Sequence, residues 1–264
     1  MVYQVVLIGD HKQLQPIVKN QTVKKLGMGR SLFERYYTMF HENTAVMLDT
    51  QYRMDICKFP SEEFYDNKLK TGVPQPSSVL RVDGRTMPLV FGHIEGETIH
   101  LVVKTAKGNN NSKANQKERE KAIAKMLVEK AGVDQGSIVV LSPYNAQVSE
   151  IKEELINKNL GKITATTITK SQGSEWRYVI LSTVCSVPRT ELEKELDGAW
   201  MSKHVGSVGD PHQINVAITR AKEGLCIIGN QELLRLNKTW RHLLEHYTCH
   251  NAVTNAEKIS VHHS

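Results

Sequence analysis

The sequence predicts an α/β fold in which a mostly parallel β-sheet is flanked by helices. Short apolar segments alternate with segments of helical periodicity along most of the 264 residues. This alternation is typical of parallel strands joined by crossover helices. Polar segments also follow several apolar runs directly, as they do where loops leave the carboxyl ends of strands. A chain of this length buries a sizeable core, as one large domain or two small ones.

Seven short apolar segments are predicted to be the strands of this sheet. They are residues 5–8, 45–48, 89–93, 138–141, 163–167, 178–184 and 225–228. Even the longer runs stop well short of the ~20 apolar residues that a membrane span needs. We therefore expect no membrane partner.

Two helix starts are marked by capping residues. Ser142 precedes Pro143, the order expected for a serine N-cap followed by a proline in the first turn. Asn115 is followed three residues later by Glu118, which resembles a capping box. The sequence therefore predicts one helix after each of these positions.

Turn-forming residues predict the loops. Residues 72–88 contain three prolines, and residues 107–113 contain the run Gly-Asn-Asn-Asn. Residues 190–213 combine a charged helical piece with a glycine-rich segment. The final residues, 249–264, are expected to be disordered.

Charge and cysteine usage narrow the function classes. The net charge of +6 favours a polyanionic partner. The four cysteines are far apart, and three of them fall in predicted core segments, which favours a reducing compartment and hence the nucleus or cytoplasm. The first residues lack the features of a secretory signal, so none is expected.

Four polar segments are expected to meet where loops leave the carboxyl ends of strands. They read GDHKQL from Gly9, QYRM from Gln51, SQGSE from Ser171 and INVAITRAK from Ile214. Two of them supply arginines, whose planar guanidinium suits phosphate oxygens. A single arginine is more simply a surface residue or a salt-bridge partner. The order and combination of the four segments therefore carry the prediction.

Taken in order, these segments resemble the motifs of superfamily 1 helicases. GDHKQLQP resembles motif III, LDTQYRMD motif IV, ITKSQGSEWRYVILS motif V and NVAITRAKEGLCIIGN motif VI. The intervening LSPYNAQVSEI and KFPSEEFYDNKLKTG are similar to the UPF1-like branch of RNA and DNA helicases, also called DNA2/NAM7-like. The resemblance implies a RecA-like P-loop NTPase fold for the second of two core domains, residues 24–248. Residues 1–23 would be the last strand and motif III of the first.

The same resemblance implies roles in ATP binding and hydrolysis. Gln13 would lie beside the γ-phosphate, and Arg53 and Arg220 would reach that phosphate across a cleft. The other nucleotide-binding positions would be Asp10, Gln51, Gly173 and Glu175, with the glutamate accepting from a ribose hydroxyl. Phosphoryl transfer spreads negative charge over the phosphate oxygens, and positioned arginines would stabilise that charge.

Contacts to single-stranded RNA or DNA would come from a helix start and from motif V. The implied residues are Pro143, Tyr144, Gln147, Thr169 and Lys170. A helix N-terminus offers free N–H groups to a phosphate, and an aromatic ring can stack on a base. For Tyr144 a second interpretation stays open, a half-buried ring that closes the helix start.

Two motifs of the family are absent from the 264 residues. The sequence contains neither a G-x-x-x-x-G-K-[ST] segment nor an Asp-Glu dipeptide, so the phosphate loop and the magnesium-binding motif are missing. In this family both lie on the first RecA-like domain. We therefore expect the C-terminal half of an ATP-dependent helicase, inactive alone, that needs a first domain in cis to use ATP and Mg²⁺. The alternative is a non-enzymatic scaffold that binds nucleic acid or protein.

A cluster of possible metal ligands lies near the C-terminus. It consists of His242, His246, Cys249 and His250. Such side chains can bind zinc, but a histidine-rich helix end is the favoured interpretation and no metal site is assigned.

Overall fold

A computed structural model describes residues 5–18, 20–51, 54–72, 78–105, 108–120, 123–192 and 197–262. Its strands are β1 Thr50–Gln51, β2 Lys70–Thr71, β3 Leu80–Val82, β4 Arg85–Thr86, β5 Leu89–His93, β6 Ile99–Thr105, β7 Gly108–Ala114, β8 Ile138–Ser142, β9 Thr164–Thr167, β10 Trp176–Ser182, β11 Ala221–Gly229, β12 Val253–Asn255 and β13 Ser260–Val261. Its α-helices are α1 Gln21–Val23, α2 Leu32–Thr44, α3 Met54–Phe64, α4 Gln116–Glu120, α5 Ile123–Glu129, α6 Asn145–Asn157, α7 Ile168–Ser171, α8 Arg189–Leu192, α9 Gly198–His204, α10 Pro211–Ile218, α11 Gln231–Leu234 and α12 Lys238–Cys249. A π-helical turn spans Lys24–Met28, and 3₁₀ turns span Gln135–Ser137, Gly206–Gly209 and Ala256–Lys258.

A six-stranded sheet with the order β12-β5-β11-β10-β8-β9 forms the centre of the fold. Each neighbouring pair of its strands is parallel. Five of its strands, β5, β8, β9, β10 and β11, correspond to apolar segments predicted from the sequence. The α/β class with a parallel sheet is therefore confirmed.

Helices cover both faces of this sheet. On β5, Leu89 and Phe91 belong to one core cluster, which also contains buried residues of α3, α10 and α12. Val90 between them belongs to a second cluster, with buried residues of α5 and α6. A sheet buried on both faces needs apolar residues at consecutive positions. This explains why its strands are recognisable as continuous apolar runs.

Two predicted strands, residues 5–8 and 45–48, have no regular secondary structure. Their apolar side chains are largely exposed, at 82% for Val6, 92% for Ile8 and 89% for Val46. A strand needs a hydrogen-bonded neighbour, and neither segment has one among the described residues. Both strand predictions are therefore wrong for this structure, including the strand expected within residues 1–23.

Two predicted loops contain β-strands that belong to hairpins. Within residues 72–88, β3 pairs with β4, and Asp83 and Gly84 between them have positive φ angles of 47° and 77°. An Asp-Gly pair with both angles positive is typical of a two-residue type I′ turn. In the second hairpin, β6 pairs with β7 from Ile99 opposite Ala114 to the end of both strands. The asparagine-rich segment is thus one strand of a hairpin.

The C-terminal segment folds onto the sheet. β12 pairs with β5, and β13 pairs with β3. Ala252, Ala256, Ile259 and Val261 are all buried, and this apolar burial offsets the entropy that the segment loses on ordering. The predicted disorder of residues 249–264 is therefore wrong for the part of this segment that the structure describes.

Both predicted helix starts are followed by helices, but the capping differs from the prediction at each. At α4, the Asn115 side chain accepts from the Glu118 backbone N–H at 3.4 Å, which is one half of a capping box. The other half is missing, because the Asn115 N–H donates to Gln147 Oε1 and not to the Glu118 carboxyl group. At α6, Ser142 is instead the last residue of β8, and Tyr144 occupies the N-cap position without a side-chain bond. The serine cap is therefore wrong, because the strand continues through Ser142.

All four cysteines lie in the part of the chain that the structure describes. Cys57, Cys185 and Cys226 are buried, Cys249 is exposed, and all four are free thiols. Among the described residues, no helix combines the length and apolar character needed to cross a membrane.

Candidate functional site

The predicted functional residues lie at both ends of the parallel strands rather than at one. The side of the sheet where the strands end is the carboxyl edge, and the side where they begin is the amino edge. Pro143 and Tyr144 follow β8, and α7 follows β9, so these residues lie at the carboxyl ends of their strands. The SQGSE segment, however, directly precedes β10, and Arg220 directly precedes β11. The crossovers bring these two segments to the amino ends of neighbouring parallel strands. The residue 9–14 segment follows no strand, because residues 5–8 have no regular secondary structure. The expectation that all four motif segments leave the carboxyl ends of strands is therefore wrong for three of them.

At the amino edge, Arg220 ties the start of β11 to the loop before β10. Its side chain is 7% exposed. Its Nη1 donates to the Ser174 carbonyl at 3.1 Å, and its Nε donates to the Val216 carbonyl at 2.9 Å. Its Nη2 donates to Thr219 Oγ1 at 2.9 Å, so all three guanidinium nitrogens are held by contacts inside the domain.

The loop before β10 is shaped by a glycine and joined to β11 by an ion pair. Gly173 has a φ of +82°, which residues with a side chain rarely adopt. Glu175 Oε2 lies 3.4 Å from Lys222 Nζ, and the Trp176 N–H donates to the Arg220 carbonyl at 3.1 Å. The loop and the start of β11 therefore form one connected unit.

Replacing Gly173 by alanine tests this loop conformation. We expect Gly173→Ala to lower the free energy of unfolding by about 1–2 kcal/mol, because a Cβ is disfavoured in the left-handed region. Thermal or urea unfolding of both proteins would measure it. The matched control is Gly198→Ala at the start of α9, where the φ angle is ordinary and the added Cβ meets nothing within 4 Å. Equal effects of the two substitutions would contradict the prediction.

The segment that resembles motif III is docked onto the rest of the domain through Asp10. Gln13 Nε2 donates to Asp10 Oδ2 at 2.9 Å, and the Lys12 N–H donates to Oδ1 at 2.9 Å. The Tyr65 hydroxyl donates to Asp10 Oδ2 at 2.5 Å. Burial and the nearby Asp10 carboxylate raise the pKa of the Tyr65 phenol, so it remains a donor at neutral pH.

Asn215 on α10 completes this docking. Its Nδ2 donates to the Lys12 carbonyl at 2.9 Å and to the Tyr65 hydroxyl at 2.8 Å. His11 lies beside the Tyr37 ring of α2, with ring centroids 4.5 Å apart. Gln13 is thus linked to α10 indirectly, through Asp10, Tyr65 and Asn215. Arg220 is linked to the same helix through the carbonyl of Val216.

The motif IV segment is only partly placed. Gln51 ends the short strand β1, which pairs in parallel with β2. Arg53 lies outside the described residues, so its predicted role stays a prediction from the sequence.

At the carboxyl edge, Tyr144 is a half-buried ring packed at the start of α6. Its hydroxyl lies 3.4 Å from Cys185 Sγ, and Lys113 Nζ lies 5.6 Å from the ring centroid. The Lys113 ammonium also donates to the Lys203 carbonyl at 2.7 Å, near the end of α9. This geometry favours the interpretation in which the ring closes the helix start.

The first turn of α6 is occupied by other parts of the protein. The Ala146 N–H donates to Ser112 Oγ at 2.9 Å, so this group is not available to a phosphate. Gln147 is fully buried, accepts from the Asn115 N–H at 2.8 Å and donates to Ser182 Oγ at 3.0 Å. The prediction that Gln147 contacts nucleic acid is therefore corrected, because its amide is used inside the domain.

Thr169 and Lys170 remain accessible. Both are exposed on the short helix α7. Thr167 caps this helix by accepting from the Lys170 backbone N–H at 3.4 Å, and Pro143 is half-buried at the same edge. The exposed surface of this edge therefore contains a cation and a hydroxyl that can face a phosphate backbone.

A buried acidic network under this edge was not predicted. Glu118 Oε2 accepts from Ser182 Oγ at 2.7 Å and from the Val184 N–H at 2.8 Å. Burial raises the pKa of Glu118 from 4.5 to about 7. Val184 has a φ of +71°, a strained angle for a β-branched residue. The sequence singled out Glu118 only by its capping-box position, and that position does not predict contacts with the distant Ser182 and Val184.

The C-terminal histidines do not gather around one point. His242 Nδ1 lies 2.9 Å from Glu63 Oε2, and His250 Nδ1 lies 2.7 Å from the His246 carbonyl. Within the part of the chain that the structure describes, no group of three or more metal-ligating side chains is found.

Comparisons with known proteins identify the relatives of this chain. A family model described as an AAA domain matches residues 28–232. The 3'-5' exoribonuclease HELZ2 of Mus musculus is 48% identical over 98% of this chain, which spans 9% of that relative. A regulator of nonsense transcripts 1 homolog of Neurospora crassa is 35% identical over 92% of the chain and 22% of its own length. The ATP-dependent helicase NAM7 of Saccharomyces cerevisiae is 32% identical over 92% of the chain and 24% of its own length.

Among solved structures, the C-terminal domain of a possible DNA helicase from Lactobacillus plantarum WCFS1 covers 72% of this chain and 96% of its own. Its TM-score is 0.38 with 9% identity, too low to support an argument. The sequence relatives therefore carry the assignment, and the chain spans less than a quarter of each one named here.

Proposed function

Because this chain belongs to the AAA-domain family, as a UPF1-like superfamily 1 helicase domain with a RecA-like fold, we propose that it forms the second half of a helicase ATPase site. The first RecA-like domain would supply the phosphate loop and the carboxylate that holds Mg²⁺. This chain would supply Gln13, Arg53 and Arg220 at the γ-phosphate. Asp10, Gln51, Gly173 and Glu175 would complete its side of the nucleotide site.

The observation that supports this most strongly is the contact between three distant motif segments. The residue 9–14 segment meets α10 through the Lys12 carbonyl and Asn215, and Arg220 meets the loop before β10 through the Ser174 carbonyl. Donors from Gln13 and Arg220 are thus held by one connected part of the domain. An arrangement that holds several donors in one connected part of the domain suits ATP, because the γ-phosphate needs several positioned donors.

The proposed nucleic-acid partner is a single strand of RNA or DNA at the carboxyl edge. Thr169 and Lys170 are exposed there, with Pro143 and Tyr144 beside them. Relatives are named as an exoribonuclease and as regulators of nonsense transcripts, which favours RNA. The compartment we propose is the nucleus or cytoplasm.

The proposal is tested with the chain alone and joined to a first RecA-like domain that carries a G-x-x-x-x-G-K-[ST] loop. Alone, it should bind single-stranded RNA weakly, lose affinity as salt rises and hydrolyse no ATP. Lys170→Ala should reduce the slope of log affinity against log salt by about 0.7, the value for one phosphate contact to a single strand. The control is Lys152→Ala, an exposed lysine on α6, which should leave the slope unchanged.

The joined protein separates the helicase from the scaffold interpretation. We expect RNA-stimulated ATP hydrolysis once both domains are present. RNA binding without turnover in the joined protein would favour the scaffold. Turnover by the 264-residue chain alone would show that the two-domain argument is wrong.

A further inference from the structure

An unbroken series of hydrogen bonds runs from Gln13 to Arg220. At its first end, Gln13 Nε2 and the Tyr65 hydroxyl both donate to Asp10 Oδ2, at 2.9 and 2.5 Å. Asn215 Nδ2 then donates to the Tyr65 oxygen at 2.8 Å. Four residues from three separate parts of the sequence are therefore joined by three bonds.

The second part of the series continues along α10. The Thr219 hydroxyl donates to the Asn215 carbonyl at 2.7 Å. Arg220 Nη2 in turn donates to Thr219 Oγ1 at 2.9 Å. Because Asn215 takes part through both its side chain and its backbone, it connects the two halves of the series.

The orientation of Asn215 is fixed by its neighbours. Its Nδ2 has two hydrogens, and these are used by the Lys12 carbonyl and the Tyr65 oxygen. The Lys12 carbonyl can only accept, so the amide cannot be turned round. Asn215 is fully buried, and its Oδ1 has no hydrogen-bond partner among the described residues. A buried acceptor is not left unpaired without cause, and here the cause is the demand for both donors on the other side.

We propose that Tyr65 and Asn215 are positioning residues that hold Gln13 and Arg220 in a fixed relation. The inference rests on the proposed function, since it assigns a purpose to the link between two γ-phosphate residues. A shift of the residue 9–14 segment is passed through Tyr65 and Asn215 to the helix that carries Thr219 and Arg220. Hydrogen-bond networks and helices of this kind can carry energetic coupling between two sites.

The test uses the 264-residue chain in solution without nucleotide or nucleic acid. In NMR hydrogen exchange, the Lys12 and Gln13 amides report the docking of the segment, because both donate to Asp10. Tyr65→Phe should speed their exchange by about tenfold, as expected for loss of a hydrogen bond to a carboxylate. It should also shift the Nε–H resonance of Arg220.

The Arg220 resonance shows whether Tyr65 is linked to Arg220 or only packs against the residue 9–14 segment. Asn215→Ala should produce both effects as well, while Tyr36→Phe, on an exposed tyrosine of α2, should produce neither. Circular dichroism establishes that each variant is folded. If Tyr65→Phe leaves the exchange unchanged, or speeds it without moving the Arg220 signal, the proposed link is wrong. Because no ATP is present, that result is independent of whether the joined protein hydrolyses ATP.

Discussion

Replacing Arg220 by alanine should lower ATP turnover by about 10³–10⁵ when the chain is joined to a first RecA-like domain. The transferred phosphoryl group develops negative charge on its oxygens, and a guanidinium offers them charged, directed donors. The measurement is kcat for ATP hydrolysis at saturating RNA. KM should change less than kcat, because this stabilisation is strongest in the transition state.

The structural contacts of Arg220 require a second variant. Its guanidinium donates to the carbonyls of Ser174 and Val216, so alanine also removes contacts that hold the loop before β10. Arg220→Lys keeps the positive charge but cannot reproduce the planar fork, and it should still lose most of the turnover. Melting curves of both variants show how much of the loss is due to unfolding.

A nearby arginine provides the matched control. Arg177 is exposed and pairs with Glu223 at 2.7 Å, and an exposed pair contributes about 0–1 kcal/mol. Arg177→Ala should therefore leave turnover close to that of the unmodified protein. Folded Arg220 variants that hydrolyse ATP at the normal rate would contradict the proposed role of Arg220.

The sequence was sufficient to predict five of the six strands of the central sheet but not the elements around them. Segments such as residues 89–93 and 225–228 are apolar because both faces of the sheet are covered, and this leaves a continuous signal. Residues 5–8 carry the same signal and are exposed. An apolar run predicts a segment that is stable when other parts of the protein cover it. Whether such parts are present depends on residues outside the run.

Polar strands and short terminal strands gave no comparable signal. Residues 108–114 contain three asparagines, yet they form β7 because β6 supplies backbone partners along its whole length. β12 is three residues long and is ordered because β5 lies beside it. Pairing with a distant segment overrides local propensity in both cases.

For the candidate site, motif order predicted which residues to consider but not where their side chains point. Gln147 follows a helix start and looked accessible, but Ser182 and Asn115 hold it inside the domain. Tyr65 and Asn215 lie within segments already identified by resemblance, without any feature that distinguishes them from packing residues. Their partners are up to 203 positions away in the sequence, so only the folded arrangement reveals them.

The contribution of Glu118 to the free energy of unfolding should fall as the pH rises from about 4.5 to about 7. Burial raises its pKa from 4.5 to about 7, so the folded state binds a proton that the unfolded state has released in this range. Tighter proton binding by the folded state makes the free energy of unfolding decrease with increasing pH. A difference of this size corresponds to about 3 kcal/mol.

Comparison with Glu118→Gln isolates this contribution. Glutamine has nearly the same shape and does not titrate, so the free energy of unfolding of wild type minus that of the variant should fall by about 3 kcal/mol across the range. Urea unfolding at several pH values measures it. Burial lowers the pKa of His11, His204 and His246, which makes stability fall with decreasing pH. That opposite trend is common to both proteins and cancels in the difference.

The contacts of Glu118 explain why a proton is held at this position. The carboxyl group accepts from Ser182 Oγ and from the N–H of Val184, whose left-handed backbone it helps to maintain. Asn115 Nδ2 donates to Oε1 at 3.5 Å, and the Thr183 N–H also donates to the carboxyl group. All of these donors are neutral, and they do not offset the loss of hydration of a charged carboxylate. Parallel stability curves for the two proteins would mean that Glu118 has the same pKa in the folded and unfolded states and is ionised in the folded state near pH 7. The turn after β10 would then be held by a buried, negatively charged Glu118 carboxylate.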